Sequence, residues 1–164
     1  MTVRITKPEF NLRDKLNHLD FDRVSYQKMP AGSFIQIVTG ETDSQFNSTS
    51  SSYVNVGLSA TISPKFNTSK IYIVVMNTIQ QQGNRTRVTL HSSNTNATMH
   101  GSSNGLQAYE GNGVNMACNI IALDSPNTTN PITYNMQMMN TGGSLHFAQA
   151  ATHKGRMVLM EVSG

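Results

Sequence analysis

From Ser33 to Val162 the chain is one short period-two run after another, and this alternation constrains its fold more than any other feature. SFIQIVT (33–39) sets Phe34, Gln36 and Val38 against Ile35 and Ile37, and SYVNVGLSATIS (52–63) alternates Val54, Val56 and Leu58 before a turn at Ser63-Pro64. KIYIVVM (70–76), TRVTLHS (86–92), VNMACNIIALD (114–124), ITYNMQMM (132–139), SLHFAQA (144–150) and RMVLMEV (156–162) follow. None has helical spacing, and the connectors QQQGN, SSNTNATMHGSSNG, YEGNG, DSPNTTNP and NTGG are turn or loop chemistry. Eight or more strands with polar connectors predict an all-β, antiparallel β-sandwich over residues 29–164, most simply a jelly roll.

The first 28 residues are composed differently, carrying 10 of the 21 charged side chains. Thr6 and Glu9 form a capping box with Pro8 in the first turn, and Leu12, Leu16 and Leu19 recur at i, i+4 and i+7. This spacing predicts a helix over Lys7–Leu19 within an N-terminal arm, residues 1–28. Three leucines make no core, and so short a helix is marginal unless its stripe is covered. The domain, sister arms or another protein must cover it. The stretch MPAGSFIQIVTGET (29–42) is then the hinge from arm to first strand.

Leu, Ile, Val and Phe total 36 of 164 residues, enough to fold around a thin core. Asn, Ser and Thr contribute 17 each, so the exterior is polar but nearly uncharged, rich in amide and hydroxyl hydrogen-bonding groups. Six of the 12 basic residues lie in the arm, interleaved with acids, so no basic stripe for nucleic acid is formed. One cysteine, Cys118, excludes an internal disulfide, and its apolar strand context predicts an inert buried thiol. No hydrophobic run approaches the ~18 residues of a membrane span, and the N-terminus has no apolar signal core. The expectation is a chain made in a cytoplasm and not inserted into a membrane.

KMPAGSFIQIV, TISPKFNTSKIYIVV, ALDSPNTTNPITYNMQ and the terminal MVLMEVSG, in that order, resemble a family of small tail-fibre-like or virion structural proteins of tailed bacteriophages, marine ones especially. ITKPEFNLRDKL is similar to the N-terminal arms of such proteins. The resemblance implies a virion location, a jelly-roll-like sandwich, assembly as a homotrimer and no enzymatic activity. It is compatible with a fibre or spike tip that contacts the host surface and with a capsid-decorating knob; a virion-bound glycan depolymerase is a lesser alternative outside the resemblance.

The residues themselves point away from catalysis. The five histidines contain no ligand-spaced pair, Gly-x-Ser-x-Gly is absent, and only Glu41, Asp43, Glu110, Asp124 and Glu161 remain as carboxylates outside the arm. No cofactor or metal is expected. Met76, Met116, Met136, Met138, Met157 and Met160 fall in strand patterns and read as core filling. Val74–Val75 and Met138–Met139 place apolar side chains on both faces of their strands, which favours oligomerisation through sheet faces. Leu12, Leu16 and Leu19 are the candidate anchoring residues, toward another virion protein or sister arms. For host glycan or protein, the long connector HSSNTNATMHGSSNGLQAYEGNG offers Asn94, Asn96, His100, Asn104, Tyr109 and Asn112, with the aromatic ring packing on the sugar face.

Overall fold

The computed structural model describes the backbone of residues 29–99, 105–141, 143–147 and 154–164, and the side chains of all these but 81–84, 107–114 and 143–147. The expected arm helix, with Leu12, Leu16 and Leu19, lies outside the described residues. From Ala31 to Gly164 the chain is one compact unit.

The described residues contain nine strands and no helix: β1 Phe34–Thr42, β2 Phe46–Ser48, β3 Val54–Ile62, β4 Lys70–Ser92, β5 Ala97–Thr98, β6 Gln107–Asp124, β7 Ile132–Asn140, β8 Gly143–Phe147 and β9 Gly155–Val162. Every pairing is antiparallel. β4 organises the whole. Along one edge it pairs with β6, from Ile71 opposite Asp124 to Val88 opposite Gln107. Along the other it takes β9, β8 and β7 in turn. β1 flanks β9 and β3 flanks β7, so the strand orders are β1-β9-β4-β6 in one half and β3-β7-β4-β6 in the other.

The expected turn at QQQGN is corrected by this arrangement. KIYIVVM and TRVTLHS belong to a single 23-residue strand, because β6 and β8 hydrogen-bond the intervening backbone from both sides. YEGNG likewise lies within β6. The turn-forming residues mark bulges instead: the ladder skips Gly113 between Gln81 and Gln82, and skips Asn84 between Gly83 and Arg85. One extra residue in β4 exchanges its inward set. Ile71, Ile73, Val75 and Ile79 are buried before it, and Thr86, Val88, Leu90 and Ser92 after it.

One hydrophobic cluster fills the interior, drawn from the inward positions of β3, β4, β6, β7 and β9. Val56, Leu58, Ala60 and Ile62 alternate with exposed Asn55, Gly57, Ser59 and Thr61, as an antiparallel strand with one solvated face requires. Met136, Met138 and Met157 are fully buried in the cluster, whereas Met76 is exposed. Cys118 is a buried free thiol. Gly40 lets β1 lie directly against β3, since a Cβ there would fall on the Ser59 carbonyl oxygen.

Two polar anchors tie the halves together. Tyr134 of β7 donates its hydroxyl to Asp124 Oδ2 of β6 at 2.7 Å. Burial pushes the Tyr134 pKa far above the usual phenol value, and the bond to the Asp124 carboxylate pushes in the same direction. Glu161 of β9 is wholly buried, and its carboxylate accepts hydrogen bonds from Gln36 Nε2 at 2.5 Å, Lys65 N–H at 2.6 Å and the Ser69 hydroxyl at 2.6 Å. Gln36 also donates to the Ser63 carbonyl at 2.7 Å, so the β3–β4 connection is pinned onto β1 and β9.

Candidate functional site

Of the sequence candidates for host contact, the structure describes Asn94, Asn96, Tyr109 and Asn112, which lie in two separate places. Ser93–Asn96 forms the turn between β4 and β5, where Asn94 Nδ2 donates to the Pro126 carbonyl at 2.9 Å and Asn96 adopts a left-handed φ of 49°. Both asparagines thus have local structural work as turn and loop-pinning residues. Tyr109 and Asn112 lie in β6 rather than in a loop, at the register positions of Thr86 and Gln82. Thr86 is six residues along β4 from Ser92, about 20 Å at strand rise, so Tyr109 is well separated from the Asn94–Asn96 turn. His100 and Asn104 lie outside the described residues.

The outer face of the β1-β9-β4-β6 half carries more apolar surface than a solvated face needs. Cross-strand partners share a face, so the ladders place Leu123, Tyr72, Met160 and Ile37 in one row. Ile121, Val74, Val158 and Thr39 form the next, and Phe34 and Val162 extend the patch at one end. Ile121 is 64% exposed, Ile37 61%, Phe34 60% and Leu123 54%, values usual for charged residues rather than for large aliphatic ones. Four strands by seven residues make a face of about 20 Å by 20 Å. That is about the size of the largest apolar patch on an ordinary monomer, a patch that is often functional. The doubled apolar residues Val74–Val75 therefore have one member in the core and one on this face.

The patch ends at a polar row formed by Asn119, Met76, Arg156 and Glu41. Arg156 Nε donates to Glu41 Oε1 at 3.1 Å. Beside this row a cavity of about 560 Å³ is lined by Met76, Asn77, Thr78, Ala117, Asn119, Lys154 and Arg156. A smaller hollow lined by Glu41, Thr42, Asp43 and Lys154 adjoins it. Asn77 is 6% exposed, and neither its Nδ2 nor its Oδ1 has a hydrogen-bond partner. Tyr53 Oη, Thr86 Oγ1 and Ser92 Oγ are buried in the same way, and the Asn77 side chain lies on the inward face with Cys118, whereas Met76, Asn119 and Arg156 share the outer one.

Asn77 was accessible to sequence reasoning. In KIYIVVMNTI the inward set Ile71, Ile73, Val75 and Ile79 is interrupted once, by Asn77. Arg156 had no such signal, because only the β9–β4 register sets it beside Met76. Among the described residues no group of three or more His, Cys, Asp or Glu side chains is placed to hold a metal ion. No family model matches the chain, and no curated protein matches it.

Proposed function

We propose that this chain is a bacteriophage virion structural protein, a fibre or spike tip held to the particle by residues 1–28 and assembled as a homotrimer that contacts the host surface. The observation that carries the reading is the apolar outer face of the β1-β9-β4-β6 half. A layer that is apolar on both sides must be covered on both sides. Among the described residues its charges stand at the two margins, Lys70 beside Val162 and Phe34 at one end and the Arg156–Glu41 pair at the other. A face that is apolar across its middle suits sister copies of itself, as closed homo-oligomers use.

The jelly-roll-like reading is supported by the strand orders. Counting each half of β4 and of β6 as its own strand gives eight strands in two four-stranded layers, β1-β9-β4-β6 and β3-β7-β4-β6. The resemblance of the sequence to phage virion proteins supplies the particle, and the leucine stripe of residues 12–19 supplies the anchor. Binding, not catalysis, is the activity assigned to the domain.

The test is incorporation. Full-length chain and chain lacking residues 1–28 are expressed during infection by a phage deleted for the gene, and purified particles are analysed by mass spectrometry. Full-length chain in the particles and truncated chain only in the lysate is the expected result. Absence of the full-length chain from particles would overturn the virion role, and normal incorporation of the truncated chain would overturn the anchor.

A further inference from the structure

We infer that sister copies join edge to edge, β6 of one copy hydrogen-bonding β1 of the next, so that three sheets close into one. The inference rests on the homotrimer reading and adds which strands meet. Among the described residues, the large apolar side chains left exposed are Phe34, Ile37, Met76, Ile121 and Leu123. Four of these five lie on β1 and β6, the two edges of the β1-β9-β4-β6 sheet, rather than on the strands between them. A partner seated on the middle of the face would leave them in water.

Neither edge carries what ordinarily keeps a strand from pairing. Among the described strands β1 is hydrogen-bonded to β9 alone and β6 to β4 alone. From Phe34 to Gly40 and from Val114 to Leu123 there is no Lys, Arg, Asp, Glu or Pro, the residues that blunt solitary edges. Such an edge is completed by another extended strand, through main-chain hydrogen bonds.

Strand direction selects that strand. β1, β9, β4 and β6 alternate, so β1 and β6 run antiparallel. Rotation about an axis along the strands therefore sets β6 of one copy antiparallel to β1 of the next. A β6–β6 pair is a twofold that leaves both β1 edges open, whereas β6–β1 uses every edge and closes as a ring. Four strands about 4.8 Å apart make a side of about 19 Å, and three such sides stand about 5.5 Å from their axis, close to half the ~10 Å spacing of packed sheets. One layer of side chains from each copy fills that interior; a fourth copy would open a hollow. The rotation keeps each row at its height, so Leu123 falls beside Ile37 of the next copy, and Ile121 beside Thr39.

The experiment is thiol cross-linking of the purified full-length chain carrying Ile37→Cys and Leu123→Cys, together or singly, beside light scattering. Within one copy the two positions are three strand spacings apart, about 14 Å, beyond the reach of a disulfide. Native protein is oxidised and quenched with N-ethylmaleimide before denaturation. At least half of the double variant should run as a covalent trimer on a denaturing gel. Each single variant should run as a monomer, as should the parent, whose Cys118 is buried. A trimer by light scattering that yields no covalent product overturns the β6–β1 seam and leaves the homotrimer reading standing. A covalent dimer from Leu123→Cys alone overturns the seam as well, since it sets β6 against β6, and a covalent ladder beyond three overturns the closure. A monomeric parent overturns both readings. Should the double variant fail to assemble where the parent does, Thr39→Cys with Ile121→Cys makes the same test one row along.

Discussion

Replacing Glu161 with glutamine changes one oxygen for an NH2 group and should cost the fold about 3 kcal/mol. The carboxylate is wholly buried and surrounded by donors: Lys65 N–H and the Ser69 hydroxyl on Oε1, and Gln36 Nε2 on Oε2. If the amide oxygen faces Lys65 and Ser69, the new NH2 meets the NH2 of Gln36. Gln36 cannot turn its own amide over without giving up the Ser63 carbonyl. The opposite placement sets the new NH2 against the Lys65 N–H. Either way one bond to a charged acceptor is lost, about 1.5–3 kcal/mol, and a buried donor is orphaned at about 1–3 kcal/mol, offset by relief of carboxylate desolvation. At about 2–4 °C per kcal/mol for a chain of this size, the melting temperature should fall by about 6–12 °C. Urea unfolding followed by circular dichroism at neutral pH reads the change as a lower midpoint at unchanged slope. The cycle with Gln36→Leu should show coupling above about 0.5 kcal/mol, since the two side chains share a bond. A Glu161→Gln variant within about 0.5 kcal/mol of the parent would refute the donor-surrounded carboxylate.

Gly40→Ala should destabilise by about 2 kcal/mol or more, because the new methyl meets the Ser59 backbone and β1 must shift; equilibrium unfolding unchanged by the substitution would contradict the close approach. Tyr134→Phe should cost about 1.5–3 kcal/mol at pH 7 by removing the bond to Asp124. The folded-state pKa of Tyr134 is raised, so its contribution is fully present below the ordinary phenol value of about 10 and declines above it by up to about 1.4 kcal/mol per pH unit. The stability gap between parent and variant should therefore narrow above pH about 10, and a gap that widens there would be wrong in sign. Cys118, buried in the β6 ladder, should react with a thiol reagent only on unfolding; full modification of the native chain within seconds would contradict its burial.

Much of the strand pattern was legible in the sequence because one-sided burial forces a period of two, as in VNVGLSATI and ITYNMQMMN. The long ribbon was not. Gly83 and Asn84 read locally as a turn, and only pairing on both edges, a non-local fact, keeps QQQGN extended. The same limit applied to the candidate site. Asn94 and Asn96 sit in the turn after β4 while Tyr109 and Asn112 lie in β6, and only the ladder sets Met76 and Arg156, 80 positions apart, side by side. Composition announced a polar, weakly charged surface but could not say which face was apolar. Ile121 and Leu123 look like core residues in ACNIIALD until the register sets them outward.

The proposal that sister copies cover the β1-β9-β4-β6 face is tested most directly by light scattering of the full-length chain at micromolar concentration, beside the variant Ile121→Asp. The account predicts a particle of three times 18.0 kDa for the parent and a folded species of 18.0 kDa for the variant, with unchanged circular dichroism. A parent that is monomeric across that concentration range, or a variant that remains trimeric, would contradict it.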